Sequence, residues 1–202
     1  MPPRDREATK RRIFEAATAE FADHGLAGAR IDAIAARANA NKALIYAYFE
    51  SKERLFGEVL GHQLGELANA VPLDPDRVPE WAGDLYDFHV AHPELARLRL
   101  HEALHYGDAP VPHEDRRLAS NAAMVDAVKE GQRRGSIDAR LDPRDVVMHA
   151  IALAAWHASV PQLARMIEAA GEPVQDVGGR RRSAVVEAVR RAIEPRASQG
   201  SS

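Results

Sequence analysis

The chain has 202 residues, with 27 Lys and Arg against 30 Asp and Glu for a formal net charge of −3, and no cysteine. Disulfides, thiolate zinc sites and iron–sulfur clusters are thereby excluded, and the slightly acidic balance does not by itself point to nucleic acid. At 46% hydrophobic but only 5% aromatic residues, the composition favours closely packed helices over sheets.

Residues 1–5 read as a loose arm, and Arg4, Asp5, Arg6 and Glu7 have no apolar core behind them, so no signal peptide is expected. Ile13, Ala17 and Phe21 then stripe a first helix, widened by Phe14, that runs to about His24 and stops at Gly25. Ile31, Ile34 and Ala38 stripe a short second helix, with Ala35 small where a crossing helix must come close. Asn39 stands at a sharp turn, as one of the few non-glycine residues that tolerate left-handed backbone. Asn41 is an N-cap for a third helix, Lys42 to Tyr48. That helix packs through Leu44 and Ile45, with Ala40 before it, and leaves Lys42, Ala43, Tyr46 and Ala47 facing outward. Ser51 caps a long fourth helix to about Val71, with Glu53 in its first turn and Leu55, Phe56, Val59, Leu60, Leu64 and Leu67 apolar.

Pro72, Pro75 and Pro79 break the chain before a helix over about 80–91. Pro93 to Tyr106 forms the next helix, Gly107 to Pro112 a loop, and His113 to Arg134 another helix ended by Gly135. Asp142-Pro143, an N-cap followed by proline at the first helical position, starts a helix through Val147, Ile151, Ala154 and Ala155 that Pro161 kinks or interrupts. Val185, Val186, Val189 and Ile193 stripe a last helix over about 180–193, and the chain after Pro195 reads as a disordered tail. The most apolar run, Val146 to Val160, is interrupted by His149, His157 and Ser159 and falls short of the ~18 residues that suggest a membrane span. An all-α protein of about nine helices, with no membrane partner, is expected.

The pair of short helices with a sharp turn between them reads as a helix-turn-helix. The run Ile34-Ala35-Ala36-Arg37-Ala38-Asn39-Ala40-Asn41, then Tyr46-Ala47-Tyr48-Phe49, then Ser51-Lys52 and Leu55, resembles the DNA-binding domain of TetR-type transcriptional regulators. Upstream, Ile13, Ala17, Phe21 and Gly25 match that family's first helix and its stop, so the resemblance covers roughly the first 56 residues. Asn39 and Asn41 replace the family's usual Gly and Ser, and Ala29 replaces a frequent Thr whose phosphate contact is either lost or taken over by Arg30. The charge distribution agrees in sign: the first 56 residues carry ten Lys and Arg against eight Asp and Glu.

The resemblance implies a homodimeric cytoplasmic regulator, expected to be a repressor, whose paired recognition helices engage a palindromic double-stranded operator until a small-molecule effector releases it. Expected domains are a DNA-binding domain over 1–50, a connecting helix over 51–71, and an effector-binding and dimerisation domain over 72–195, before the tail of 196–202. Lys42 is the candidate guanine reader and Ala43 a candidate thymine-methyl contact. Arg30, Asn41, Tyr46, Ala47, Tyr48 and Lys52 complete the candidate DNA surface, with Tyr46, Tyr48 and Lys52 on phosphate. Candidate effector-lining residues are Trp81, Tyr86, Phe88, His89, Leu98, His101, Glu102, His105, Met124 and Trp156. Candidate dimer contacts are Ile151, Ala154, Ala155, Val185 and Val189.

One motif competes. His101-Glu102-Ala103-Leu104-His105 is H-E-x-x-H on a helix, a spacing that sets two zinc ligands on one face with a glutamate base beside them. The longer signature fails, with Asp108 at its glycine position and Val111 at its third histidine. No metal, cofactor or catalytic residue is therefore assigned. A zinc hydrolase, and a DNA-binding regulator without an effector, stand as the alternatives.

Overall fold

The computed structural model describes residues 3–195, so the reading of 196–202 as a disordered tail lies outside the described residues. Ten helices and no strand occur among them. They form two compact units: residues up to Glu66 together with His92–Arg117, and Leu67–Ala91 together with the chain from Leu118. The segment 92–117, expected with the rest of the C-terminal part, thus packs with the N-terminal helices.

In the first unit, α1 (Pro3–Gly28) starts within the stretch read as an arm and breaks at Gly25, which has φ 67° and ψ 178°. The short α2 (Ile31–Arg37) and α3 (Lys42–Phe49) follow, then α4 (Lys52–Ala70), whose last turn belongs to the second unit. The expected stripes make the core: Ile13, Ala17, Phe21, Ile34, Ile45, Leu55, Phe56, Val59 and Leu60 are each at most 1% exposed. Phe21 and Phe56 meet edge to face at 5.2 Å, an arrangement the ring quadrupole favours. Helix α6 (Pro93–Tyr106) buries Leu95, Ala96 and Leu98 and lies along α1. Pro112 closes onto α4 at Gly57, where an added Cβ would come within 2.5 Å of the proline ring.

The second unit is built from α5 (Val78–Ala91), most of α7 (Glu114–Arg134), α8 (Pro143–Ser159), α9 (Pro161–Ala169) and α10 (Val177–Ile193). Its core holds Val78, Trp81, Leu85, Val128, Val147, Ala150, Ala154, Val185 and Val189, among others. Trp81 satisfies its indole N–H on the Val71 carbonyl at 3.1 Å. Salt bridges from Arg182 to Asp84 and Asp87, and from Arg190 to Glu80, tie α10 along α5. Pro161 does more than kink the preceding helix. The chain bends by 81° there and begins α9, the helix beyond the nine expected. No single helix among the described residues is long and apolar enough to cross a membrane.

Candidate nucleic-acid interface

The turn between α2 and α3 forms as the side chains dictate. Asn39 adopts φ 48°, and the Ala40 N–H closes on the Ala35 carbonyl at 3.0 Å. The Asn41 side chain accepts from the Leu44 N–H at 2.7 Å, so this residue caps α3 with the oxygen that a base contact would require. From α1, Arg12 Nε donates to the Ala38 carbonyl at 3.1 Å and fixes the end of α2. Helix α3 then buries Ile45 and Phe49 and exposes Lys42, Ala43, Tyr46 and Ala47. This outward face of one short amphipathic helix has the shape and chemistry that a major groove admits.

Arg30, Lys42, Tyr46 and Lys52 line one open concavity of about 460 Å³, with Asp32 and Glu53 beside them. Lys52 does not extend freely from it: its ammonium donates to the carbonyls of Ala29, at 3.2 Å, and Ala27, at 3.4 Å. Tyr48 is half-buried, with its ring edge-on to Phe49 and the Arg6 guanidinium 5.4 Å from its centroid, a cation–π contact. At the start of α4, the Glu53 carboxyl lies below its ordinary range because its own backbone N–H and the Ser51 hydroxyl donate to it. Two residues of this region escaped the sequence reading. Glu20, 7% exposed, accepts from the Arg30 N–H at 3.1 Å and caps α2 from α1, replacing the cap that Arg30 itself does not provide. A signal was present: Glu20 lies three residues after Ala17, on the buried stripe, where a carboxylate needs a partner. Asp32 pairs with Lys42 at 3.2 Å, and its place in the first turn of α2 announced only a favourable helix end.

The H-E-x-x-H residues diverge. His101 packs on Gly25, where an added Cβ would lie 2.7 Å from its Nδ1, while Glu102 is held by Arg117 at 2.6 Å. His105 is exposed beside the ring of Tyr106. The arrangement is one of packing and pairing, and no group of three or more potential ligands converges among the described residues.

The ten candidate effector residues divide between the units. Leu98, His101, Glu102 and His105 belong to the first; Trp81, Tyr86, Phe88, His89, Met124 and Trp156 belong to the second. Trp81, Tyr86 and His89 are buried, whereas Trp156, a candidate lining residue, is 55% exposed. The candidate dimer contacts are mostly covered within one chain. Ala154, Val185 and Val189 are at most 4% exposed inside their own unit, and Ile151 and Ala155 are half-buried. Exposed large apolar side chains include Met148, Leu153 and Trp156 of α8 and Leu163, Met166 and Ile167 of α9.

Comparison with known proteins places this geometry. Residues 13–59 match the profile of bacterial regulatory proteins of the tetR family, and residues 77–191 match that of the tetracyclin repressor-like C-terminal domain. The chain belongs to the tetR family and is a DNA-binding transcriptional regulator, not an enzyme. It is 49% identical over 176 residues to HTH-type transcriptional repressor SCO4008 of Streptomyces coelicolor, covering 87% of this chain and 92% of the relative. It is 32% identical over 195 residues to HTH-type transcriptional repressor Rv3405c of Mycobacterium tuberculosis, covering 96% and 93%. Among solved structures, the putative transcriptional regulator SCO4942 from Streptomyces coelicolor superposes with a TM-score of 0.80 at 35% identity, covering 92% of this chain and 98% of that one.

Proposed function

We propose that the chain is a cytoplasmic repressor that binds a palindromic operator as a homodimer and leaves it when a small molecule binds. The observation that carries the reading is the outward face of α3, with Lys42, Ala43, Tyr46 and Ala47 unburied beside a concavity that offers Arg30 and Lys52 to the DNA backbone. Repression follows the names of the two relatives above. Dimerisation is supported by exposed apolar side chains of α8 and α9, of which Leu153, Trp156, Leu163 and Ile167 line one shared concavity, since open apolar patches mark contact sites. A two-fold dimer presents two copies of α3, and a palindrome matches that symmetry. The effector acts by population shift: it has to bind the DNA-incompetent state more tightly.

Lys42 donates to a guanine edge, and Ala43 meets a thymine methyl. Arg30, Tyr46, Tyr48 and Lys52 hold phosphates, Lys52 from a position already fixed by the Ala29 carbonyl. The test is duplex selection from a random pool, followed by anisotropy titrations. A palindrome should emerge, and Lys42→Ala should weaken its binding by roughly 1–3 kcal/mol and relax one base position in each half-site. Unchanged affinity and sequence preference in Lys42→Ala would remove α3 as the reader.

A further inference from the structure

The lysine at the head of the recognition helix is tethered. Its ammonium nitrogen lies 3.2 and 3.3 Å from the two carboxylate oxygens of Asp32, the second residue of α2. The two side chains are 51% and 64% exposed, and ion pairs so exposed contribute little to stability. Asp32 pairs with no other cation among the described residues: Lys52 is engaged by backbone carbonyls and Arg54 by Glu50. The pair sits in the concavity that also holds Arg30, Tyr46 and Lys52. Folding gives little reason for this contact; what Lys42 does against DNA gives a better one.

A lysine ammonium is a point charge on a flexible stem. Untethered at the mouth of a groove, it meets phosphates as readily as base edges, and phosphate contacts carry no sequence information. Asp32 alters both sides of that competition. It fixes the ammonium in place and leaves N–H donors over, since the group has three, for the O6 and N7 acceptors of a guanine. Its negative charge also repels any phosphate drawn to Lys42, so docking that places Lys42 on the backbone is disfavoured. Specificity is a difference of affinities, and repulsion in the wrong register raises it as well as attraction in the right one. We propose that Asp32 is a specificity-determining positioning residue, which holds Lys42 for a guanine edge and weakens binding to DNA that lacks that guanine. The inference rests on the reading of Lys42 given above.

The experiment uses the full chain, its selected operator and a scrambled duplex, with dissociation constants measured over a salt series. Asp32→Ala and Asp32→Asn should tighten binding to scrambled DNA. They should also reduce the operator-to-scrambled affinity ratio about fivefold or more, the low end of one base contact. Asp32→Glu, which keeps the charge on a side chain one methylene longer, should retain most of the ratio, and Asp32→Ala should change it no further in a Lys42→Ala background. Should Asp32→Ala lower the melting temperature, Asp32→Asn, which keeps a side-chain acceptor in the first turn, carries the comparison. A mere long-range charge effect would tighten binding to every duplex by one factor, leave the ratio unchanged and overturn the proposal. If Lys42→Ala loses the guanine preference while both Asp32 variants keep it, only the role of Asp32 falls. If Lys42→Ala keeps the preference, the base-reading assignment fails and the inference with it.

Discussion

Gly25 shows how closely a single position can be constrained. Its φ of 67° and ψ of 178° fall in a region that is essentially confined to glycine, and the His101 ring occupies the space a Cβ would need. Gly25→Ala should therefore destabilise the first unit by about 1–3 kcal/mol from backbone strain, with a further steric part. In a His101→Ala background only the steric part should disappear. Denaturant titration of the two single variants and the double variant checks this; full recovery in the double variant would show that the backbone is not strained there. The sequence marked Gly25 as a helix stop, which it is. It did not announce His101, because the contact joins residues far apart in the chain, and a spacing motif suggested zinc chemistry for that histidine instead. Local chemistry was legible at Asn39 and Asn41, whose turn and cap depend only on neighbours. Glu20 and Asp32 were missed because their roles depend on partners ten residues away.

Helix α8 separates what an element's sequence fixes from what it leaves open. Its start was legible in Asp142-Pro143, and the Asp142 side chain does accept from the Arg144 N–H at 2.9 Å. Hydrogen bonds from the Arg144 side chain and backbone hold the Asp142 carboxyl at about 2, below the ordinary carboxylate range. A carboxyl depressed on folding contributes stability above its unfolded pKa, so this contribution should be lost as pH falls from about 4 toward about 2. Asp142→Asn should be less stable than the parent near neutrality, and the difference should shrink through that window. A constant difference across it, followed by denaturant titration, would show that the charge contributes nothing. The partner of α8 was not legible. Its apolar residues cover two sides, and alternation alone does not say which side meets its own unit. Ala154 went inward, while Leu153 and Trp156 stayed open. Trp156→Glu should therefore yield a folded chain that sediments as a monomer, because it charges the open face without entering the core. A dimer of unchanged strength in that variant would place the interface elsewhere.

At the scale of the whole molecule, helix content and the N-terminal motif were readable because amphipathic stripes and caps are local signals. The grouping of helices was not. Residues 92–117 join the first unit through Leu95, Ala96 and Leu98, and their apolar pattern would have suited either unit equally well. The slight net charge likewise conceals the DNA-binding part, since a basic excess near the N-terminus is masked by the acidic remainder. In the proposed function, one chain supplies one recognition helix and two chains read one palindrome. Sedimentation of the full chain with its selected duplex tests this most directly. Two chains per duplex are expected, with a single half-site bound at least tenfold more weakly than the palindrome. One chain per duplex, or a half-site bound as tightly as the whole palindrome, would contradict the account.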